Sequence, residues 1–196
     1  MTLQITTRFS YRSIERLVAP IDPHFQIALE KDEDIEARES LLDRVFGLER
    51  FQKTSEKLRV NQVPVSGLAL VAKTTSGALI GTIRLWPIFA GQGRAALLLG
   101  PLAVCPSAKD GGVGRALMLQ ALARAKVQGH RSILLVGDAA YYNRFGFEQR
   151  FTDRLLMPGP VDAKRFLGRE LIPGALSGAA GAVTPARHQY LTAIAA

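Results

Sequence analysis

The sequence predicts a three-layer fold of the α/β (α+β) class, in which a mixed sheet carries helices on both faces. Its first half contains a hairpin pattern, which indicates antiparallel strands. Its second half alternates strand, amphipathic helix and strand, which indicates a crossover connection within the sheet. The chain has 196 residues, of which 47% are hydrophobic, so it can form one domain with a substantial core.

The first half is expected to run from a short strand through two helices into three strands. Acidic residues gather in the first turns of the first helix, where the helix macrodipole favours them. A Thr-Thr-Ser-Gly turn separates two apolar segments and indicates the hairpin, and the next segment is continuously apolar, as central strands are. The expected elements are strand Phe25–Glu30, helices Asp32–Phe46 and Glu49–Arg59, and strands Gly67–Lys73, Ala78–Trp86 and Ala95–Val104.

A second series of elements follows a glycine-rich turn. Apolar residues after this turn recur at helical spacing up to Gly129, which is a typical stop signal. Asp138 is placed to cap a short helix. The expected elements are helix Gly112–Gln128, strand Ser132–Val136, helix Asp138–Phe145, and strands that begin at Phe147 and cover Phe166–Ile172.

These elements divide the chain into three parts. Residues 1–24 form an N-terminal extension that we expect to pack on the domain, and residues 25–173 form the domain itself. Residues 174–196 form a tail rich in Gly and Ala, for which we expect mostly irregular structure.

Composition argues against several classes of protein. No apolar run reaches the roughly 18–20 residues that span a bilayer, so no membrane partner is expected. Cys105 is the only cysteine and the N-terminus has no secretory apolar region, which together predict a reducing, cytoplasmic location. His24, His130 and His188 lack the spacing of metal ligands, so we expect them at the surface and expect no bound metal.

The formal net charge of +8 is unevenly distributed along the chain. Residues 30–49 contain eight acidic residues against three basic ones, whereas residues 104–131 contain five basic residues against one acidic. The basic stretch has no aromatic residues near it, unlike surfaces that bind single-stranded nucleic acid. We therefore expect no nucleic-acid partner.

The densest chemical signal is the turn at residues 104–115, VCPSAKDGGVGR. Its glycines let backbone amides approach a ligand closely, and the start of the following helix adds unpaired donors and a partial positive charge. We interpret the turn as a phosphate site, against the alternative of a tight connection alone. A Walker A loop does not fit because Arg115 follows Gly114, and a dinucleotide fingerprint does not fit because Leu117 stands at its third glycine.

Two motifs resemble those of the GNAT acetyltransferase superfamily. Lys109–Gly114, KDGGVG, is similar to the pyrophosphate motif Q/R-x-x-G-x-G/A, with lysine in the first position. Tyr142–Phe147, YNRFGF, is similar to the ending Y-x-K/R-x-G-F, and the run from Gly137 resembles a bacterial subgroup of N-acetyltransferases. The resemblance covers residues 25–172 and implies a central, mostly antiparallel sheet with a splayed strand pair.

The resemblance implies that acetyl-CoA is the co-substrate and that an amine attacks its thioester directly in a ternary complex, without a metal. It also implies that the backbone of Leu102, Ala103 and Val104 aligns the thioester, and that Tyr142 is the general acid for the CoA thiolate. The residues expected to contact the phosphates of CoA are Lys109, Gly111, Gly112, Val113, Gly114, Arg115 and Arg144.

Several alternatives stay open at this point. Asp138, Glu49, Asp43 and a water chain are all candidates for the general base. An acyl-enzyme on Cys105 is less favoured because no histidine neighbours it in sequence. Tyr141 competes with Tyr142 but is better explained as a packing or adenine-side residue.

The acceptor is expected to be an amine, in a small molecule or a peptide, that the sequence does not identify. The acidic residues of segment 30–49 favour a cationic acceptor. The oligomeric state is left open, with a homodimer as one option. A non-catalytic CoA-binding sensor or scaffold would contain the same glycine-rich turn and is the alternative function.

Overall fold

The computed structural model describes residues 24–186 and places eight strands in its sheet. Six of them lie side by side in the order β1-β2-β3-β4-β5-β7, while β8 pairs with β3 and with β6. The strands are β1 Phe25–Leu29, β2 Ala69–Thr74, β3 Leu79–Ala90, β4 Ala95–Val104, β5 Ser132–Val136, β6 Leu155–Leu156, β7 Phe166–Glu170 and β8 Gly181–Pro185.

Three α-helices lie within the described residues, namely α1 Ile35–Phe46, α2 Val113–Val127 and α3 Ala139–Tyr142. The expected second helix, Glu49–Arg59, is instead a pair of 3-10 helices at Leu48–Gln52 and Thr54–Leu58. Lys53 separates them in an extended conformation (φ −64°, ψ 140°), so no continuous α-helix can run through this segment.

The sheet is mixed and mostly antiparallel, as the sequence predicts. β1, β2, β3 and β4 form an antiparallel meander. β4 and β5 are parallel, joined by the crossover helix α2, and β5 then pairs antiparallel with β7.

Two structural features separate β4 from β5. A bulge places Gly100 and Pro101 of β4 opposite the single residue Arg84 of β3. β4 pairs with β5 only at Leu97 and Leu98, so from Leu99 onward its edge on that side has no strand partner among residues 24–186. The splayed strand pair implied by the resemblance is therefore present.

Helices cover both faces of the sheet. Residues of α2 pack with one face of the strands in a core that includes Leu97, Leu117 and Phe147. On the opposite face, Leu41 and Leu42 of α1 pack against Ala103 of β4. This is the three-layer arrangement that the sequence predicts. Within the described part of the chain, no helix is long and apolar enough to cross a membrane.

Two expectations about the second half of the chain are wrong. Phe147 does not begin a strand: it is fully buried in the core under α2, and only Glu148 forms an isolated bridge, with Gly168. Phe147 is apolar because of this packing and not because of a strand pattern.

The tail after Gly174 is also more ordered than expected. β8 adds to the part of β3 that extends beyond β2, and its residue Val183 is buried. Short Gly and Ala side chains hide this strand from pattern analysis, because its pairing is decided by the free edge of β3. The expected N-terminal extension lies outside the described residues except for His24, as does His188 in the last part of the tail.

Candidate active site

A cavity of about 1250 Å³ occupies the opening between β4 and β5. At one end it is lined by the glycine-rich turn, including Lys109, Gly112 and Gly114. At the other end it is lined by residues 52–56, by Arg59, by residues 160–162 and by Arg165. The cavity therefore connects the phosphate site with a second, separate wall.

The unpaired edge of β4 lies between these two ends. Leu102 and Val104 line the cavity, whereas Ala103 does not. Its side chain is buried against α1, and its backbone faces β3, because the amide of Cys105, two residues on, donates to Ile80 of β3. The bulge that turns this edge outward is held in place by Trp86, whose indole nitrogen donates to the carbonyl oxygen of Gly100 at 2.6 Å. An extended ligand in the cavity can therefore run along free backbone groups of β4.

The glycine-rich turn presents the amino end of α2 to the cavity. Gly112 caps the helix with φ +74°, a left-handed conformation that favours glycine, and a Cβ there would point into open space. Val113 is buried in the core, so only its backbone can serve a ligand. The backbone amides that have no acceptor among the described residues are those of Gly112, Val113, Gly114 and Arg115.

Two amides that the sequence analysis assigned to the phosphate site are already used. The amide of Lys109 donates to the carbonyl of Pro106, and that of Gly111 donates to the carbonyl of Ala108. These bonds close the tight turn before the helix, which leaves the four later amides as the phosphate-facing donors.

Four exposed cations line this end of the cavity. Lys109, Arg115 and Arg144 were expected, and the structure brings all three to the cavity wall. Arg44 on α1 is a fourth, which the sequence analysis missed because it lies in the acidic segment far from the motif. Only the tertiary structure shows that α1 ends beside the glycine-rich turn.

Tyr142 lines the cavity at the end of β5. Its ring lies against the backbone of Gly137, where an added Cβ would come within 2.2 Å of a ring carbon, so this position requires glycine. The Tyr142 hydroxyl forms no hydrogen bond with any residue of 24–186. Burial raises the pKa of Tyr142, and the nearby positive charge of Arg165 opposes this only in part, so the phenol stays protonated at neutral pH.

Tyr141 belongs to the phosphate end of the cavity. Its hydroxyl lies 2.9 Å from the position that a Cβ of Gly114 would take, at the start of α2. Arg144 lies over its ring, with 4.6 Å between the guanidinium carbon and the ring centroid. The two adjacent tyrosines therefore face different parts of the cavity.

Of the three carboxylates considered as general base, only Asp138 lies at the cavity. Asp138 lines the cavity, but one carboxylate oxygen accepts from the amide of Ala140 as the cap of α3, as expected. Asp43 and Glu49 do not line the cavity, and Asp43 is bound by Arg50 at 2.7 Å. Cys105 does not line it either, and its thiol lies 3.2 Å from the hydroxyl of Ser107.

The acidic residues of segment 30–49 face away from the cavity. Glu30 forms buried ion pairs with Arg38 and Arg84, and Asp34 pairs with Lys73 at 2.5 Å. None of the eight acids lines the cavity. The charge argument for a cationic acceptor therefore does not hold, because these carboxylates lie outside the cavity and five of them, Glu30, Glu33, Asp34, Glu39 and Asp43, are paired with cations of the fold.

The second wall of the cavity is formed by two distant segments. The hydroxyl of Thr54 donates to the carbonyl of Pro160 at 2.6 Å, and Lys57 donates to the carbonyl of Pro158 at 3.2 Å. These bonds join residues more than a hundred positions apart, and they bring Lys53 and Arg165 to one end of the cavity.

The histidines do not form a metal site within the described residues, which contain no group of three or more His, Cys, Asp or Glu side chains placed to hold a metal ion. His24 is exposed, as expected, but His130 is buried with only 4% of its surface accessible. The expectation for His130 is wrong because the turn after α2 folds its ring into the interior.

Comparison with known proteins identifies relatives of this fold. Residues 66–149 match the family model described as an acetyltransferase (GNAT) domain. The N-acetyltransferase YhbS of Escherichia coli K12, whose function is uncharacterised, is 29% identical over 142 residues, which are 70% of this chain and 85% of YhbS. YjhQ of the same organism, also an uncharacterised N-acetyltransferase, is 26% identical over 127 residues, which are 64% of this chain and 70% of YjhQ.

Two solved structures are similar as well. The structure of E. coli YhbS in complex with CoA superposes with a TM-score of 0.72 at 27% identity, covering 89% of this chain and 95% of that one. A GNAT family acetyltransferase from Brucella melitensis in complex with acetyl-CoA gives a TM-score of 0.52 at 26% identity, covering 74% of this chain and 96% of that one.

Proposed function

Because this chain belongs to the GNAT acetyltransferase superfamily, we propose that it is an acetyl-CoA-dependent N-acetyltransferase. In this proposal an amine attacks the thioester directly while both substrates are bound. The observation that carries the proposal is the cavity between β4 and β5, which joins the amides of the glycine-rich turn to the hydroxyl of Tyr142. The similar structures with CoA or acetyl-CoA support the choice of acyl donor.

The phosphate end of the cavity suits the anionic half of CoA. The four free amides of Gly112–Arg115 stand at the positive end of the α2 dipole, which is a favourable place for a pyrophosphate. The cations Arg44, Lys109, Arg115 and Arg144 surround them and supply charge for the remaining phosphate. The residues present therefore fit the acyl donor that the family uses.

The edge of β4 holds the acyl group in position. Backbone groups of Leu102 and Val104 on the edge that lacks β5 align an extended chain as a neighbouring strand would, while those of Ala103 face β3. An amide of this edge polarises the thioester carbonyl, in the manner of an oxyanion site. Cys105 lies outside the cavity, which favours direct attack over an acyl-enzyme.

In the proposed reaction, the Tyr142 hydroxyl donates a hydrogen bond to the leaving sulfur of CoA. This hydroxyl has no hydrogen-bond partner among residues 24–186 and remains protonated, so it is available to donate. Because its pKa is raised above 10, whereas an ordinary thiol has a pKa of about 8.5, complete proton transfer to a thiolate is uphill. We therefore assign Tyr142 mainly to hydrogen-bond stabilisation of the sulfur as negative charge develops.

The first test is binding of the acyl donor. CoA or acetyl-CoA at about 100 times its dissociation constant should stabilise the folded state by about 2.7 kcal/mol. For a chain of this size that corresponds to a rise in melting temperature of roughly 5–10 °C, measured by thermal denaturation. Dephospho-CoA should give a smaller shift, because it lacks the phosphate that the exposed arginines would contact.

The outcomes separate the proposal from its alternatives. No thermal shift at millimolar CoA would remove the acetyltransferase proposal altogether. A clear shift without CoA release from acetyl-CoA, alone or with added amines, would instead favour a non-catalytic CoA-binding module.

A further inference from the structure

The end of the cavity opposite the glycine-rich turn is rich in cations. Lys53, Arg59 and Arg165 line it, together with the two acids Glu56 and Asp162. This wall lies beyond the unpaired edge of β4 and beyond Tyr142, where an acceptor must enter if the proposed function is right.

Both acids of this wall are already engaged. Glu56 lies 3.5 Å from Arg59, and Arg59 also donates to the backbone and hydroxyl oxygens of Ser55. Asp162 caps the short helix before β7, with one carboxylate oxygen accepting from the amide of Lys164 at 2.9 Å. Neither acid forms an ion pair with Lys53 or Arg165 within 4.0 Å.

Lys53 and Arg165 have no carboxylate within 4.0 Å among residues 24–186. The two residues also repel each other. The pKa of Lys53 is lowered first by burial and then by the charges of Arg165 and Arg59, while Glu49 compensates only in part. An uncompensated pair of cations at a cavity wall is stabilised by a bound anion.

Arg165 also lies close to the reaction centre. Its charge lowers the pKa of Tyr142 and so opposes part of the effect of burial. Arg165 and Tyr142 line the same cavity, so a group bound by Arg165 shares that cavity with the Tyr142 side chain. The planar guanidinium can bind a carboxylate or a phosphate through two parallel hydrogen bonds, which fixes orientation as well as position.

We propose that the acceptor carries an anionic group, a carboxylate or a phosphate, in addition to the amine that is acylated, and that Lys53 and Arg165 bind this group. The inference rests on the proposed function and specifies its substrate class. The Lys53 ammonium lies over the ring of Phe46, 4.5 Å from its centroid, but this contact leaves its charge in place. A purely cationic amine, such as a diamine, would meet two positive charges that have no carboxylate partner among the described residues and would bind poorly.

The test uses two pairs of probes that differ only in the anion. Lysine is compared with cadaverine, which lacks the carboxylate, and phosphoethanolamine is compared with ethanolamine, which lacks the phosphate. Each probe is titrated by calorimetry into the full-length protein saturated with CoA, so that the glycine-rich turn is already occupied. We expect the anionic member of at least one pair to bind about tenfold or more tightly than its partner, and the pair with the larger difference identifies the anion.

Variants assign the effect to the two cations. Lys53→Gln and Arg165→Gln should each lower the affinity for the anionic probe about tenfold and should leave the affinity for its cationic partner unchanged or raise it, because one repelling charge is removed. Lys164→Gln is the matched control, because Lys164 is exposed next to Arg165 but does not line the cavity.

Three results would overturn the proposal. They are binding of neither anionic probe to the CoA complex, equal or weaker binding of the anionic members, and an unchanged preference in Arg165→Gln. Failure of CoA itself to bind would instead contradict the proposed function, so the two failures are distinguishable.

Discussion

Tyr142 has the two properties that the proposed donor to the leaving sulfur requires, a position in the cavity wall and a hydroxyl with no hydrogen-bond partner in the described part of the chain. Its ring is held between the Gly137 backbone and the rings of Tyr141 and Phe147. Substitution by phenylalanine keeps this packing and removes only the hydroxyl, which makes the role of the proton testable.

Tyr142→Phe is expected to lower kcat by about 10²-fold, the lower end of the range for general acids. The effect is at the lower end because the raised pKa of Tyr142 favours hydrogen bonding over full transfer. The KM for acetyl-CoA should change little, and steady-state kinetics with any accepted amine measures both quantities.

Tyr141→Phe is the matched comparison. Its hydroxyl lies beside Gly114 at the phosphate end, so its loss should raise the KM for acetyl-CoA and leave kcat nearly intact. A Tyr142→Phe enzyme with full kcat would refute the assignment of Tyr142, while the fold and the acyl-donor site would stand.

In the proposed function, the amino end of α2 binds phosphate through its backbone amides. Gly112 and Gly129 flank this helix, both with positive φ (74° and 82°) and both with open space where a Cβ would be. Gly129 is therefore a matched control for Gly112, because substitution strains the backbone similarly at both positions but only Gly112 lines the cavity.

Gly112→Ala and Gly129→Ala should each cost roughly 1 kcal/mol of stability, because alanine is disfavoured in the left-handed region. Only Gly112→Ala should weaken CoA binding, by about tenfold or more, the cost of losing a hydrogen bond to a charged group. Chemical denaturation and calorimetry with CoA measure the two effects. Equal CoA affinity in both variants would be inconsistent with a phosphate site at this helix.

Lys109→Ala tests the relative weight of side chain and backbone. Lys109 is exposed, and its amide already donates to the carbonyl of Pro106. Removing the Lys109 side chain should therefore reduce CoA affinity less than Gly112→Ala does. A larger loss for Lys109→Ala would show that side-chain charge carries the site.

The stability of the whole molecule is expected to depend on His130. Its ring is buried, and burial lowers its pKa from 6.5 to about 4. The folded state therefore binds fewer protons than the unfolded state between these pH values. The contribution of His130 to the free energy of unfolding is therefore fully present above pH 6.5 and is lost as the pH falls toward 4.

The acid-dependent loss assigned to His130 is at most about 3 kcal/mol, from about 1.4 kcal/mol per unit of pKa. His130→Gln removes the titrating group and should flatten the pH dependence of unfolding between pH 6.5 and 4. Denaturation with urea at several pH values measures the slopes. Identical slopes in the two proteins would show that folding does not lower the pKa of His130.

The sequence pattern is sufficient to predict those helices and strands whose signals come from neighbouring residues. The bounds of β4 and β5 agree with the structure, and α2 differs from its prediction by one residue at each end. The glycine-rich turn and Tyr142 were also identified, because glycine spacing and a short motif depend on neighbouring residues only. The fold class followed from the order of these elements.

The tertiary structure decided what depends on contacts between distant segments. The bulge at Gly100 that opens β4, the strand β8, and the meeting of residues 54 and 160, which are 106 positions apart, leave no periodic signal in the chain. The net charge of segment 30–49 likewise suggested a cationic acceptor, yet none of its eight acidic residues lines the cavity, and Glu30 and Asp34 are paired inside the fold. Charge that faces a cavity is set by three-dimensional pairing, and this pairing leaves Lys53 and Arg165 without a counter-charge among the described residues.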